Sequence, residues 1–403
     1  MNVCRKFDRF ATGNDDVAIR TPGRDDKSYQ QLRRESGYVA GLLRENGIGP
    51  SDRVILHLPN DSAYVSVLLG IWRVGAVGVP MDERWGGEVA SHVLADIEPS
   101  LVVTTDQYAM RLREQISGDP LAEIPVAKID TAAVGDLGIT EVSEPSMTVE
   151  PQMDDDIAKV VYTSGTTGTP KGVIHTHRNI TAVVEMAANV FDLSDDDIFL
   201  ASVPLCRSPG IYGSALPALC VGGSVVLQAE WDPQWWSELI AEYEPRLNLL
   251  KPQQMRETIE VDDEAVSDTS SLEICMVTTG LLRSKSTFTD FEATYDVDNV
   301  INYYGQTESL AVSMGTLSAD TQPNYIGQPA DVLETKLVDP STGRELPPGN
   351  DGELLLRGDV VTPGYWNRHI TASELFTDGW LRTEDRIQQD EDGNFYFLER
   401  LST

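Results

Sequence analysis

The sequence predicts an α/β protein: two doubly wound, mostly parallel sheets flanked by helices, followed by a small antiparallel β-barrel. Three observations carry that reading. Apolar strand-like runs alternate with helix-length amphipathic segments through most of the chain, which is the pattern of βαβ units whose sheets are covered on both faces. From about residue 320 helical patterns become scarce, and short runs separated by turns take over. The chain has 403 residues and is 41% hydrophobic, enough for two or three folding units with a real core.

The elements follow in order. Residues 28–45, SYQQLRRESGYVAGLLRE, carry apolar positions at helical spacing. DRVILHLPN (52–60) reads as a buried strand and a turn. AYVSVLLGIWRVGAVGVP reads as a helix ending near Gly75 and then a short strand, and LVVTT (101–105) as another strand. Val160, Val161 and Tyr162 form a short buried strand that feeds a loop, Thr163 to Lys171. A helix-like run, NITAVVEMAANVF, begins at Asn179. DIFLASVPL and GGSVVLQ are further strands with a helix between them, and WWSELIAEYEP is an amphipathic helix. ICMVTTG (274–280) and VINYYGQTES (300–309) are strands running into loops, so a second parallel sheet is expected. ETKLVDPSTGRELPPGNDGELLLRG and GNFYFLER are short strands of the final β unit. The division is 1–190 for the first α/β unit, 191–318 for the second, and 319–403 for the β-barrel.

Charge restricts the partners. There are 64 acidic and 31 basic residues, net −33, and 8 of the basic residues are lysines. The carboxylates are spread through the chain, in clusters at 154–156, 195–197 and 388–393. Such a surface disfavours nucleic acid and anionic membranes. It suits a salt-rich cytosol, where screening weakens self-repulsion, so a halophilic source is expected; an ordinary acidic cytosolic enzyme is the plainer alternative. MNVCRKFDRF has no apolar run, so it does not read as a secretory signal. No stretch of about 18 apolar residues exists, and no membrane span is expected. Cys4, Cys206, Cys220 and Cys275 show no C-x-x-C spacing and read as reduced thiols in a cytoplasmic protein. The HTH at 175–177 lacks the neighbours a metal site needs.

The chemistry concentrates in three stretches. TSGTTGTPK (163–171) mixes glycines, hydroxyls and a lysine. Glycines let backbone N–H groups approach an anion, hydroxyls add donors, and lysine adds charge. With a strand before it and a helix after it, the loop suits phosphates. It is not the commonest phosphate loop, G-x-x-x-x-G-K-[ST], which fails here at Pro170 and Gly172. A flexible linker is the bland alternative. NYYGQTES puts two tyrosines, Gln306, Thr307 and Glu308 at a strand end. An aromatic there could stack on a flat ligand, Thr307 could donate to phosphate, and Glu308 could hold Mg²⁺. A polar turn with Tyr304 in the core is the plain alternative. Asp385, just past WLRTE, suits a pair of ribose hydroxyls, and Arg400 could reach the same ribose or a phosphate. One more surface carboxylate is the plain alternative for Asp385.

Taken in this order, YTSGTTGTPKGV, YYGQTE, GELLLRGDVVTPGYWN and DGWLRTEDRIQQDEDGNFYFLER resemble the signatures of the adenylate-forming superfamily: acyl-CoA and aryl-CoA synthetases, peptide-synthetase adenylation domains and luciferases. The resemblance spans about residues 27–400. It implies an ATP-dependent activation of a carboxylic acid to acyl-AMP, then transfer to CoA, with Mg²⁺. The partners it implies are a small-molecule acid, ATP and CoA, and it allows a homodimer.

Carried over by position, Thr163, Ser164, Gly165, Thr166, Thr167, Gly168 and Lys171 would hold the β- and γ-phosphates. Gly280 would lie beside adenine and the acyl group. Tyr304 would pack on adenine, with Gly305 in the same turn. Thr307 would touch the α-phosphate, Glu308 would bind Mg²⁺, and Asp385 with Arg400 would hold the ribose. Lys171, Thr307 and Glu308 are the implied catalytic residues. The acyl pocket would be lined by Arg207, Tyr212, Gly213, Thr278, Tyr303 and Leu310, with Gly280 near them.

The departures are specific. The resembling proteins usually carry TGD where this chain has Thr383-Glu384-Asp385, and glycine where it has Glu399. Arg207 stands at a usual histidine position and could recognise a second carboxylate or pair with surface acid. The superfamily continues past Thr403 with a mobile domain that supplies a catalytic lysine, so a chain ending at the hinge is expected to bind nucleotide and acid but adenylate weakly. A domain that loads a carrier protein, and a non-catalytic binder of AMP or acyl-AMP, are the alternative readings.

Overall fold

The helix Ser62–Arg73 is buried on every side. It is apolar all round, as a helix enclosed by neighbours must be. Asp61 caps it, its carboxylate accepting from Ala63 N. The helix Tyr29–Glu45 packs across it. A Cβ added at Gly70 would come within 2.5 Å of Val39 Cγ1, so glycine sets this close crossing. Arg73, fully buried, holds Asp8 with both guanidinium nitrogens, at 2.9 and 2.6 Å. That pair docks the helix Val3–Ala11.

A computed structural model describes the chain apart from residues 1, 116–123, 131–143, 164–168, 262–267, 279–284, 296, 298, 319, 323, 368–374 and 402–403. The smaller sheet runs Val126–Lys128, Leu101–Thr104, Arg53–His57, Val77–Pro80, Ile157–Thr163, Lys171–Thr176. Its first five strands are parallel and the last is antiparallel. The larger sheet has a parallel centre, Val17–Arg20, Ser224–Leu227, Ile198–Ala201, Leu247–Leu250, Ile274–Thr278, Asn299–Tyr304. These parallel strands are short and almost wholly buried, as covered sheets require. From Ser313–Thr316 onward the pairing is antiparallel, and the order continues through Tyr325–Pro329, Phe395–Arg400, Trp380–Gln389, Asp351–Gly358 and Leu333–Val338. That last unit has its own core around Leu354, Leu356, Leu381, Ile387 and Phe395.

Two findings depart from the sequence reading. Val17–Arg20 pairs with Ser224–Leu227, so a strand from the first unit, residues 1–190, lies in the sheet of the second. The segment after the phosphate loop is also not yet a helix. Lys171–Thr176 is a strand in register with Ile157–Thr163, Thr163 opposite Lys171 and Val161 opposite Val173. The loop therefore joins two strands paired antiparallel. The helix His177–Val190 starts at the far end of that strand, capped by Thr176 and Asn179. Six strand residues put its N-terminus about 20 Å from the loop, too far for its dipole to serve phosphates there. Among the described residues no helix is long and apolar enough to cross a membrane.

Candidate active site

Strand ends of both sheets and the antiparallel unit meet at one place. The loop after Asn299–Tyr304 is tight. A Cβ on Gly305 would lie 2.3 Å from Leu310 O, so only glycine allows the turn that presents Gln306, Thr307 and Glu308.

Asp385 is the most enclosed carboxylate here, 3% exposed. Its Oδ2 accepts from Tyr304 Oη and from Gln306 Nε2 at 2.6 Å, and its Oδ1 accepts from Arg400 Nη1 at 2.9 Å. Arg400 also reaches Glu384, at 3.4 Å. Asp385 and Arg400 are opposite one another on paired strands, so the sheet register itself brings them together. Two further residues in Trp380–Gln389 than in its partner Asp351–Gly358 make a bulge around Thr383 to Asp385. Bulges of this kind re-aim side chains beside sites. Tyr304 differs from expectation. It is 4% exposed, lies in the β unit's core, and spends its hydroxyl on Asp385. It positions the carboxylate rather than offering an open ring face. Burial, then the Asp385 charge, pushes its phenol well above the ordinary range.

A second group forms around Tyr365, from PGYW. Its phenol donates to Glu308 Oε1 at 2.8 Å, and Lys171 Nζ sits 5.3 Å from its ring centre. The strand containing Lys171 and the loop containing Glu308 are far apart in sequence, and Tyr365 joins them. The Glu308 backbone is pinned by Thr362 N, which donates to its carbonyl at 2.8 Å. Mg²⁺ bound with phosphates needs one or two protein carboxylates and little else. Glu308, held by one phenol with a lysine close by, fits that requirement. Among the described residues no group of three His, Cys, Asp or Glu is placed to hold a metal by itself.

Thr307 is tied down through its backbone. Its carbonyl accepts from His175 Nε2 at 2.8 Å. A carbonyl can only accept, so the proton is on Nε2, and Nδ1 accepts from Tyr212 Oη at 3.2 Å. Burial lowers the His175 pKa to about 3, consistent with the neutral ring this pattern requires. His177 turns elsewhere, to Gln152 at 2.6 Å and the backbone of Val3 at 3.4 Å. The two histidines of HTH thus have separate structural duties.

A cavity of about 600 Å³ opens beside Thr307. Thr163, Thr307, Thr278 and Arg207 line it, with Val161, Trp85 and Lys251. Tyr212, Tyr303 and Leu310 lie in the hydrophobic core instead, and Gly213 is buried against Leu249. Arg207 is not a free cation. It holds Asp82 at 2.8 and 2.7 Å, and Arg84 grips the same carboxylate at 2.9 and 2.7 Å. Burial alone would raise the Asp82 pKa, but the hydrogen bonds from Arg84 and the charge of Arg207 hold it well below the usual range. Ser164, Gly165, Thr166, Thr167, Gly168 and Gly280 lie outside the described residues.

Sequence reasoning missed Tyr365, His175, Lys251, Trp85 and Asp82. Lys251 is one of only 8 lysines, and Trp85 stands among charged and glycine residues in DERWGG; both were visible oddities. Tyr365 and His175 lie in the stretches GELLLRGDVVTPGYWN and HTH, but their roles were hidden, because each acts through a partner far along the chain.

Residues 7–366 match the family model described as AMP-binding enzyme. The chain is 30% identical over 388 residues to crotonobetaine/carnitine–CoA ligase of Salmonella enteritidis, covering 93% of this chain and 74% of that protein. It is equally 30% identical over 384 residues to feruloyl-CoA synthase of an Amycolatopsis species, covering 93% and 73%. Among solved structures, the N-terminal domain of FACL13 from Mycobacterium tuberculosis has the same fold, with a TM-score of 0.89 at 21% identity, covering 99% of this chain and 100% of that one.

Proposed function

The chain belongs to the AMP-binding enzyme family, and from that premise we propose that it is an acid–thiol ligase that turns a carboxylic acid and ATP into acyl-AMP and pyrophosphate, then passes the acyl group to CoA. The observation that carries this reading is the Lys171–Tyr365–Glu308 group. It brings a phosphate cation and a metal-binding carboxylate to one tyrosine, next to a cavity lined by Thr163, the cross-strand partner of Lys171, and by Thr307, the neighbour of Glu308.

In the first step a carboxylate oxygen attacks the α-phosphorus, and the bond to the β-phosphate bridging oxygen breaks. Pyrophosphate leaves with the developing charge. Such a step is helped chiefly by positioning and charge neutralisation. Lys171 neutralises the β- and γ-phosphates from the hairpin, with Thr163 and the loop residues Ser164 to Gly168 as further donors. Thr307 donates to the α-phosphate, its position fixed by His175. Glu308 would hold Mg²⁺, which neutralises phosphate charge when bound. Asp385 keeps lone pairs beyond its three protein donors, and these accept from the ribose hydroxyls. Arg400 fixes that carboxylate. Arg207 and Thr278 border the acyl group, with Tyr212, Gly213, Tyr303 and Leu310 behind them and Gly280 beside the base. In the second step the thiol sulfur attacks the acyl carbonyl, and AMP leaves.

The finer readings belong here as well. Mg²⁺ as the metal follows from the lone carboxylate at Glu308. A cytosolic, high-salt setting rests on the net charge of −33, and unfolding temperature across a KCl series tests it. Division into three units at 190 and 318 rests on the change of pattern along the chain. A homodimer is open to sedimentation measurement.

ATP–pyrophosphate exchange with Mg²⁺ in molar KCl, against aryl, short, medium and dicarboxylic acids, tests the ligase reading. Exchange dependent on one acid class supports it. If neither exchange nor thermal stabilisation by an acyl-AMP analogue occurs, the reading is wrong.

A further inference from the structure

Lys159 stands in the middle of the strand Ile157–Thr163 and is fully buried. Its Nζ has no hydrogen-bond partner among the described residues. It lies 4.8 Å from the ring centre of Tyr212. An ammonium buried without a counter-charge is costly, and the neighbouring Cys206 thiol supplies none, because burial pushes its pKa up to about 12. Asp82, 3.8 Å from the Cys206 sulfur, is already taken by Arg84 and Arg207. Burial brings the Lys159 pKa down to about 7.

The strand geometry says where this amine sits. Side chains alternate, so Lys159, Val161 and Thr163 share one face. Val161 and Thr163 line the 600 Å³ cavity. Lys159 is next in that row, at its inner end, away from the phosphate loop. Across the hairpin it is paired with His175, which donates to Thr307 O. A second orphan lies nearby. The phenol of Tyr64 is 1% exposed, has no partner among the described residues, and sits close enough to Cys206 and Tyr212 to feel both. Tyr64 and Cys206 line a neighbouring cavity of about 580 Å³, and Tyr212, next to both Lys159 and Tyr64, links the two buried donors. Buried polar groups are normally satisfied, and an anionic acceptor would suit an amine and a phenol together.

We propose that Lys159, with Tyr64 beside it, receives a second carboxylate at the far end of the acid being activated, so that the substrate is a short α,ω-dicarboxylic acid. The inference rests on the ligase reading. Arg207, the candidate for this task by sequence, is occupied by Asp82, and Lys159 takes the role. Cross-strand spacing and the His175–Thr307 contact put Lys159 roughly 8–10 Å from Thr307, the reach of an acid with three to six carbons. An arriving carboxylate favours the charged amine, so binding takes up a proton near neutral pH.

The test is calorimetry on the chain with a non-hydrolysable ATP analogue present. Malonic, succinic and glutaric acids are compared with propionic, butyric and valeric acids. One diacid should bind at least tenfold more tightly than the monoacid of equal length. Repeating that titration at pH 7.5 in buffers of different ionisation enthalpy should show proton uptake. Lys159→Met, similar in length and apolar, should cost the diacid at least tenfold and leave the monoacid within about twofold. Tyr64→Phe, which keeps the ring, should weaken the diacid about threefold. No diacid preference in the natural chain, or the same preference in Lys159→Met, overturns the proposal. Where monoacids still support pyrophosphate exchange, the ligase reading survives that result. If neither the ATP analogue nor an acyl-AMP analogue binds, both fall.

Discussion

Asp385→Asn is the sharpest probe of the nucleotide site, because the geometry separates its effects. The carboxylate accepts three protein donors, from Tyr304, Gln306 and Arg400. The amide keeps one oxygen acceptor, so Tyr304 and Gln306 can still be served. Its NH₂ must then face Arg400, donor against donor. Losing a charge-assisted hydrogen bond costs about 1.5–3 kcal/mol. Arg400 is partly exposed and retains Glu384, so the lower end applies, about 1–2 kcal/mol. For a chain this long that means a fall in Tm of a few degrees. Ribose binding suffers separately. A hydroxyl that donated to a carboxylate now meets an amide, and a loss of 1.5–3 kcal/mol is about 10- to 150-fold in Kd. Calorimetry well below Tm with AMP, adenosine and pyrophosphate reads this out. AMP and adenosine should weaken by the same factor, and pyrophosphate should be unchanged. Equal loss for pyrophosphate, or unaltered adenosine, would refute the ribose assignment.

Two further outcomes follow from neighbouring groups. Lys171→Ala should weaken ATP and pyrophosphate about 10- to 100-fold, the worth of a charge-assisted phosphate contact, and leave adenosine untouched; calorimetry checks both, and unchanged ATP affinity removes the hairpin's phosphate role. The His175 pKa falls from its ordinary 6.5 to about 3 on burial. Between those values the unfolded chain binds a proton that the folded chain refuses, so stability drops as pH falls from 6.5 toward 3, by up to about 1.4 kcal/mol per pH unit. His175→Asn should be less stable than the natural chain at pH 7.5, and urea unfolding should show that gap closing by pH 5. A gap that stays constant means His175 does not titrate as argued.

What the sequence revealed and what it hid divide along the length scale of the interactions. The stretch Thr163 to Lys171 and the YYGQTE turn stand out because each is contiguous and its composition suggests a chemistry, whereas Asp385 is singled out only by the family resemblance. The strand Lys171–Thr176 is not legible because KGVIHT shows no clean alternation. Both its faces are covered, so the period-2 signal is erased. Val17–Arg20 could not be assigned to its sheet, since its partner lies some 200 residues away and nothing local specifies it. Tyr304 was legible as an aromatic at a strand end, but its hydroxyl's engagement by Asp385 depends on how the parallel and antiparallel parts of the larger sheet meet. The role of Arg207 was open for the same reason: its partner Asp82 is distant in sequence.

Glu384 joins the resemblance to the physics of the backbone. The resembling proteins usually carry glycine there, and the structure shows why glycine suits it: φ is +57°, left-handed space that costs a side-chain-bearing residue about 1 kcal/mol. Here a glutamate tolerates it. Its side chain points outward and meets Arg400 at 3.4 Å, while its carbonyl accepts from Leu401 N at 2.7 Å. An exposed pair of that kind returns less than about 1 kcal/mol, and glycine loses a similar amount through the freedom of the unfolded chain. Glu384→Gly should therefore change stability by under about 1 kcal/mol. It should still act on the nucleotide, because it removes a negative charge next to Asp385 and leaves Arg400 with one carboxylate in place of two. Affinity for ATP should rise several-fold in dilute buffer and return toward the natural value in molar KCl, where the Debye length falls to about 3 Å. Adenosine, which carries no charge, should respond little at either salt. An ATP affinity that falls would mean that Glu384 serves the site through Arg400, as a support rather than an obstacle.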